Sequence, residues 1–293
     1  MIFKLLFTLA FSAPLNVVTT TTDLNWLVQR IGGDKVKTQA LLQGTENPHF
    51  IDSRPDYIQK VSNADIVCAI GLELEIGWLP KILSKSGNAK VQPGGPGFCE
   101  AGNTVEVIEK PTGPIDRSMG DVHPSGNPHF WLSPKHFFMA AKEIKNVLSK
   151  NDSANSKVFE ANYLKLQKEI NDLLNKNLKR IKVIKIKKPY LEYHKEYSYF
   201  LDVYGLSSAG SLEEKPGLPP SASRLIETAT SAKNANVVLM LAANYSPIRT
   251  LEKFQELSKI PFLALELSLN KENTDYLKYH EILFNKIIAP LEK

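Results

Sequence analysis

The chain has 293 residues, 43% hydrophobic and 23% charged, the proportions of a soluble globular protein long enough to hold two cores. Its net charge of +5 comes from 36 basic and 31 acidic residues spread along amphipathic segments, a balance that gives no footing to nucleic-acid binding. Only two cysteines occur, and without CxxC spacing they exclude a thiolate metal site.

At the N-terminus, Lys4 precedes an apolar run over residues 5–11 and then the small residues Ser12 and Ala13, which predicts an export signal over residues 1–13. A buried first strand is the competing reading. No cysteine follows the run, so the expectation is a periplasmic protein without a lipid attachment site. Residues 16–22, rich in β-branched side chains, then predict a strand. Asp23 is placed to cap a helix whose apolar face is Leu24, Leu27, Val28 and Ile31, with Gly32-Gly33 ending it. Strands over 36–42 and 66–70 and helices over 57–61 and 78–83 continue the alternation of a parallel α/β sheet.

Residues 93–128 break this rhythm. Glycine and proline fill 93–97 and interrupt 110–114, leaving one predicted strand over 104–108. A connection of this length inside a domain is usually functional, and since it ends at His123 and His129 it is expected to border a site. Cys99 falls in this loop and Cys68 on a buried strand. An oxidising compartment would permit a disulfide between them, but the different environments predict separate thiols.

Helices follow over 134–149 and 153–181. The second carries Phe159, Tyr163, Leu166, Ile170 and Leu173 at intervals of 4, 3, 4 and 3, one continuous stripe. At 1.5 Å per residue it spans roughly 40 Å, too long for a crossover in one small domain and suited to a connector between two lobes. The basic cluster over 179–188 reads as a solvated helix end running into an edge strand rather than as a nucleic-acid patch. Strands are then predicted over 189–193, 207–211, 237–241 and 262–266, and helices over 197–204, 221–232, 250–258 and 275–290. Pro219-Pro220-Ser221 serves as a helix start signal.

Against this background one tetrapeptide stands out: Asn47-Pro48-His49-Phe50 recurs as Asn127-Pro128-His129-Phe130. Asn-Pro favours a turn and holds the residue before proline out of the helical region, so each copy presents an imidazole from a stiff turn beside an aromatic that can anchor it. A third histidine, His194, follows the strand predicted over 189–193. Three neutral imidazoles suit zinc or a similar late metal, whereas manganese and magnesium favour oxygen donors. A closed tetrahedral site needs a fourth ligand: Glu266 at the end of the last strand, His123 in the loop, or water. His136 and His280 read as ordinary helix residues. Three histidines with an open position also describe a hydrolytic zinc centre, for which Glu192, Glu196 or Glu266 would be the general base.

The chain resembles the zinc/manganese-type metal-binding receptors, the substrate-binding proteins, of bacterial ABC importers. Gly44-Thr45-Glu46-Asn47-Pro48-His49 is similar to the family turn carrying the first ligand, and Asn127 to Pro134 to the segment carrying the second. His194 followed by Tyr199-Phe200 resembles the third. The stretches over 71–79 and 214–221 match as well, so the resemblance covers nearly the whole chain after residue 15. It implies an α/β fold of two lobes, each with a small mostly parallel sheet flanked by helices, joined by one long linker helix. The division it suggests is a signal over 1–13, an N-terminal lobe over 14–150, a linker over 151–182 and a C-terminal lobe over 183–293. It also implies a metal between the lobes held by His49, His129 and His194, zinc ahead of manganese, and a monomer delivering it to a membrane permease without catalysis. Some relatives are described as adhesins, which makes a metal-stabilised surface protein the remaining rival. Three features depart from the family: Glu266 stands near its usual aspartate, the 93–128 loop keeps only His123 of a histidine-rich tract, and no acidic residue lies near Ala243.

Overall fold

Two parallel four-stranded sheets with the same strand order organise the computed structural model, which describes residues 13–113, 120, 122–185 and 188–292. In the N-terminal half β1 (Leu15–Thr19), β2 (Val36–Ala40), β3 (Ile66–Ala69) and β4 (Phe98–Glu100) lie in the order β2-β1-β3-β4. In the C-terminal half β5 (Tyr190–Glu192), β6 (Ser208–Ser211), β7 (Leu239–Ala243) and β8 (Phe262–Leu265) lie in the order β6-β5-β7-β8. All pairings are parallel. Of the four inner strands, β3, β5 and β7 are buried throughout, as expected where helices cover both faces of a parallel sheet. The covering helices are α1 (Thr22–Gly32), α2 (Pro55–Ser62), α3 (Leu79–Ser86) and α4 (Pro134–Asn151) on one side of the chain, and α6 (Ser198–Val203), α7 (Ala222–Asn234), α8 (Ile248–Ser258) and α9 (Tyr276–Ile288) on the other.

Between the halves runs α5 (Ser156–Val183), 28 residues and so about 42 Å long. Four of the five stripe residues, Phe159, Leu166, Ile170 and Leu173, are buried, and Tyr163 packs partly buried against the same core. Its first half is tied to the N-terminal lobe: Asn162 donates to the Ile31 carbonyl at 2.9 Å, Glu160 pairs with Lys145 and Glu169 with Arg30. Its second half is tied to the C-terminal lobe, where Asn177 donates to the Tyr204 hydroxyl at 3.0 Å and Lys176 and Arg180 pair with Glu281 and Glu292. One hydrophobic cluster runs through both halves.

Several sequence expectations are corrected. Thr21, not Asp23, caps α1, its hydroxyl accepting from Leu24 N at 3.3 Å. Asp23 is fully buried and accepts from Leu269 N of the other lobe at 3.2 Å, with burial pushing its carboxyl up to about 7. The strand expected over 104–108 does not form. Phe98–Glu100 takes the free edge of β3 instead, a tight turn over Ala101–Thr104 follows, and Val105 and Ile108 pack against the core without pairing. This brings Cys99 into register with Cys68 on adjacent strands, both buried and with their thiols in contact, so their environments are shared rather than different. The strand after the basic cluster, β5, lies inside its sheet between β6 and β7, not at an edge. The segment assigned as an export signal lies, but for Ala13, outside the described residues. Among the described residues no helix is long and apolar enough to cross a membrane.

Candidate metal centre

The two Asn-Pro-His turns fold alike. In each, the asparagine Oδ1 accepts from the histidine backbone N–H two residues on, at 3.0 Å for Asn47 and His49 and 2.9 Å for Asn127 and His129. That local bond satisfies the amide and aims the ring, which is why asparagine suits the first position. The aromatic anchors differ. Phe130 is fully buried, whereas Phe50 is 63% exposed, and the first turn is held instead by Trp78, whose indole N–H donates to the Pro48 carbonyl at 2.8 Å.

His49, His129 and His194 converge, with one ligand atom of each lying within 4.8 Å of the others. The Nε2 atoms of His49 and His129 are 3.0 Å apart. Nitrogens bound about 2.0–2.1 Å from a tetrahedral zinc lie about 3.4 Å from one another, so this cluster is close to a ligating geometry. His49 and His129 are almost wholly buried, and His194 is mostly so.

Each lobe orients its imidazole differently. His129 Nδ1 lies 2.9 Å from Asn127 Oδ1, an oxygen that can only accept, so Nδ1 carries the proton and Nε2 offers its lone pair. His194 Nδ1 lies 2.9 Å from Glu213 Oε2, which fixes the same tautomer through a carboxylate. Glu213 is itself held by Gly217 N–H at 2.8 Å. Burial, and then the neighbouring rings of His49, His194 and His123, keep His129 well below the ordinary imidazole range. It is therefore neutral, as a metal ligand must be.

The sequence-predicted residues divide clearly. The three principal histidines come together. His123 lies beside them, its ring tilted 33° to that of His49 with centroids 5.1 Å apart, and lines a cavity of about 280 Å³ together with His129 and His194. Glu266 does not join: its carboxylate accepts from Asn270 and from Asn273 (3.3 Å), and it is not among the described side chains that converge with the histidines. Following directly on β8 was not enough, because the chain after Leu265 turns so that its own asparagines satisfy the side chain. Of the two histidines set aside, His136 is bonded to Ser133 at 2.8 Å, while His280 donates to the Leu132 carbonyl at 3.2 Å and helps join the lobes. The orienting residues Glu213 and Asn127 were missed as such. Both lie in or beside the matched motifs, but their role depends on where the fold brings them.

The general-base candidates fare poorly. Glu192 accepts from Tyr197 N–H at 2.9 Å and Ser208 hydroxyl at 2.9 Å, a structural role that anchors the loop after β5. Glu196 lines a second cavity of about 200 Å³ with His49 and His194, but burial first, then Glu192 and Glu213, push its carboxyl up to about 8. A carboxyl protonated at neutral pH is no base there.

Residues 17–289 match the family described as zinc-uptake complex component A, periplasmic. The chain belongs to that family. Among its relatives is a manganese ABC transporter substrate-binding lipoprotein of Streptococcus pneumoniae, 25% identical over 298 residues, covering 96% of this chain and 90% of the relative. An iron ABC transporter substrate-binding lipoprotein of Streptococcus pyogenes serotype M1 is 25% identical over 251 residues, covering 83% and 77%. The substrate-binding protein FpvC of Pseudomonas aeruginosa, solved with Ni²⁺, shares the fold with a TM-score of 0.80 at 22% identity, covering 95% of this chain and 97% of that one. Family membership sets the chain among metal-importer binding proteins rather than enzymes, which disposes of the hydrolase alternative.

Proposed function

We propose that His49, His129 and His194 hold a divalent late-transition cation, zinc before manganese, and that the chain works outside the cytoplasm as a monomeric receptor handing this cation to an ABC permease. The observation that carries the reading is the convergence of three imidazoles from three loops and both lobes within 4.8 Å. An all-nitrogen set favours zinc, since manganese prefers oxygen donors and stands low in the Irving–Williams order. The fourth position falls to His123 or water. The metal relations of the relatives, which include manganese, iron and nickel, set the class of cargo, and the donor set selects within it.

Residues 1–13 act as an export signal without a lipid attachment site. The lobes over 14–150 and 183–293 are braced by the strut over 151–182. Calorimetric titration of the metal-free protein tests the core claim: zinc should bind roughly 100-fold or more tightly than manganese. His129→Ala should lose tight binding while circular dichroism stays unchanged, and an unaltered zinc affinity in that variant defeats the assignment.

A further inference from the structure

The 280 Å³ cavity in front of His129 and His194 is lined in part by Glu109, Asn127 and Lys195, three residues that bridge the lobes. Asn127, whose Oδ1 orients His129, uses its Nδ2 to donate both to Glu109 Oε2 at 2.8 Å and to the backbone carbonyl of Lys195 at 2.7 Å. Lys195 follows the ligand His194 and returns across the gap, its Nζ 2.7 Å from Glu109 Oε1. Lys195 is thereby held at both ends, the carbonyl by Asn127 and the ammonium by Glu109. Glu109 sits at φ +52, a left-handed conformation that costs a non-glycine residue energy and persists only when its surroundings hold it. Those surroundings are the same bridge, together with Asn127 N–H on the Ile108 carbonyl at 3.0 Å and the Tyr199 hydroxyl donating to the Asn127 carbonyl at 2.9 Å.

We propose that Glu109, Asn127 and Lys195 form an inter-lobe gate that sets how fast the bound cation leaves, with Glu109 and Lys195 acting as positioning residues through Asn127. An ion pair whose partners are 31% and 46% exposed adds little to stability on its own. Here the pair stands in series with the amide that fixes the tautomer and direction of a ligand. Separating Lys195 from Glu109 loosens Asn127 and lets His129 turn from its ligating direction. The effect should therefore fall on the rate of metal release far more than on folding.

The inference rests on zinc being bound by the three histidines, and the test separates the two claims. Zinc-loaded protein is mixed with an excess of chromogenic chelator and the release rate is followed by stopped flow in Lys195→Met, Glu109→Gln and the double variant. Each single variant is expected to release zinc ~10-fold faster, the range of an outer-shell change, and the double variant no faster than the singles because one link is broken in each. Added salt should speed release from the unsubstituted protein by screening the pair and leave Lys195→Met unaffected. The metal-free melting temperature should not move. Release rates in both single variants within twofold of the parent overturn the gate while the ligand assignment stands. A parent chain that takes up no zinc overturns both.

Discussion

The two lobes share a strand order and a site but supply different things to it. The N-terminal lobe contributes two imidazoles from matched Asn-Pro-His turns, one of them oriented by a neutral amide, and its buried Glu75 is spent on the chain itself, accepting from Thr20 and from Ile70 and Gly71 N–H. The C-terminal lobe contributes one imidazole, and that ring leans on the carboxylate of Glu213. One lobe thus fixes geometry and the other supplies negative charge. A cation bound between them as proposed would be held by direction from one side and by field from the other, so loosening the contact between lobes would weaken both together.

The strongest way to break this comparison is to remove one imidazole from each lobe. His49→Ala and His194→Ala should each cost ~1,000-fold in zinc affinity, a share of the total expected of one ligand among three or four, measured by competition with a chelator of known strength. A much smaller loss for one of them would mean that its lobe is a bystander. The contrast is sharpened by Glu213→Gln, which keeps an acceptor for His194 but removes the charge. Zinc affinity should fall ~10- to 100-fold while the fold is unchanged, and if the loss is absent the field argument fails.

Acidity offers a further test on the metal-free protein. Glu196 is raised to about 8 and Glu192 to about 7, both chiefly by burial. Each therefore binds its proton more tightly folded than unfolded. Their contribution to stability is complete below the unfolded value near 4.5 and is lost as pH rises through 7 to 8. Thermal melts of the metal-free chain should fall between pH 5 and pH 9, and Glu196→Gln should flatten that fall by on the order of a few kcal/mol at the alkaline end. Parallel curves for parent and variant would remove Glu196 from the account. Smallest of all, Thr22→Val removes the hydroxyl that donates to the Leu269 carbonyl across the lobes at 2.5 Å. It should cost about 1 kcal/mol and lower the melting temperature by roughly 2 °C.

Much of this architecture was legible in the chain itself. The strand and helix alternation, the single stripe on α5 and the repeated Asn-Pro-His-Phe are set by forces that act within a few residues: proline's fixed φ, side-chain periodicity and the reach of an asparagine to the next turn. What packing alone decided lies at long separation. Asp23 meets Leu269 over 246 residues, Asn127 meets Lys195 over 68, and Glu213 rather than Glu266 stands beside the histidines. Equally, β3 chose Phe98–Glu100 over the more β-prone residues 104–108 because its open edge lay beside the first and not the second. Local rules thus determined which side chains could serve as ligands, whereas the choice of what orients and encloses them was made by the docking of two lobes, since a hydrogen bond between remote segments has no signature in either one taken alone.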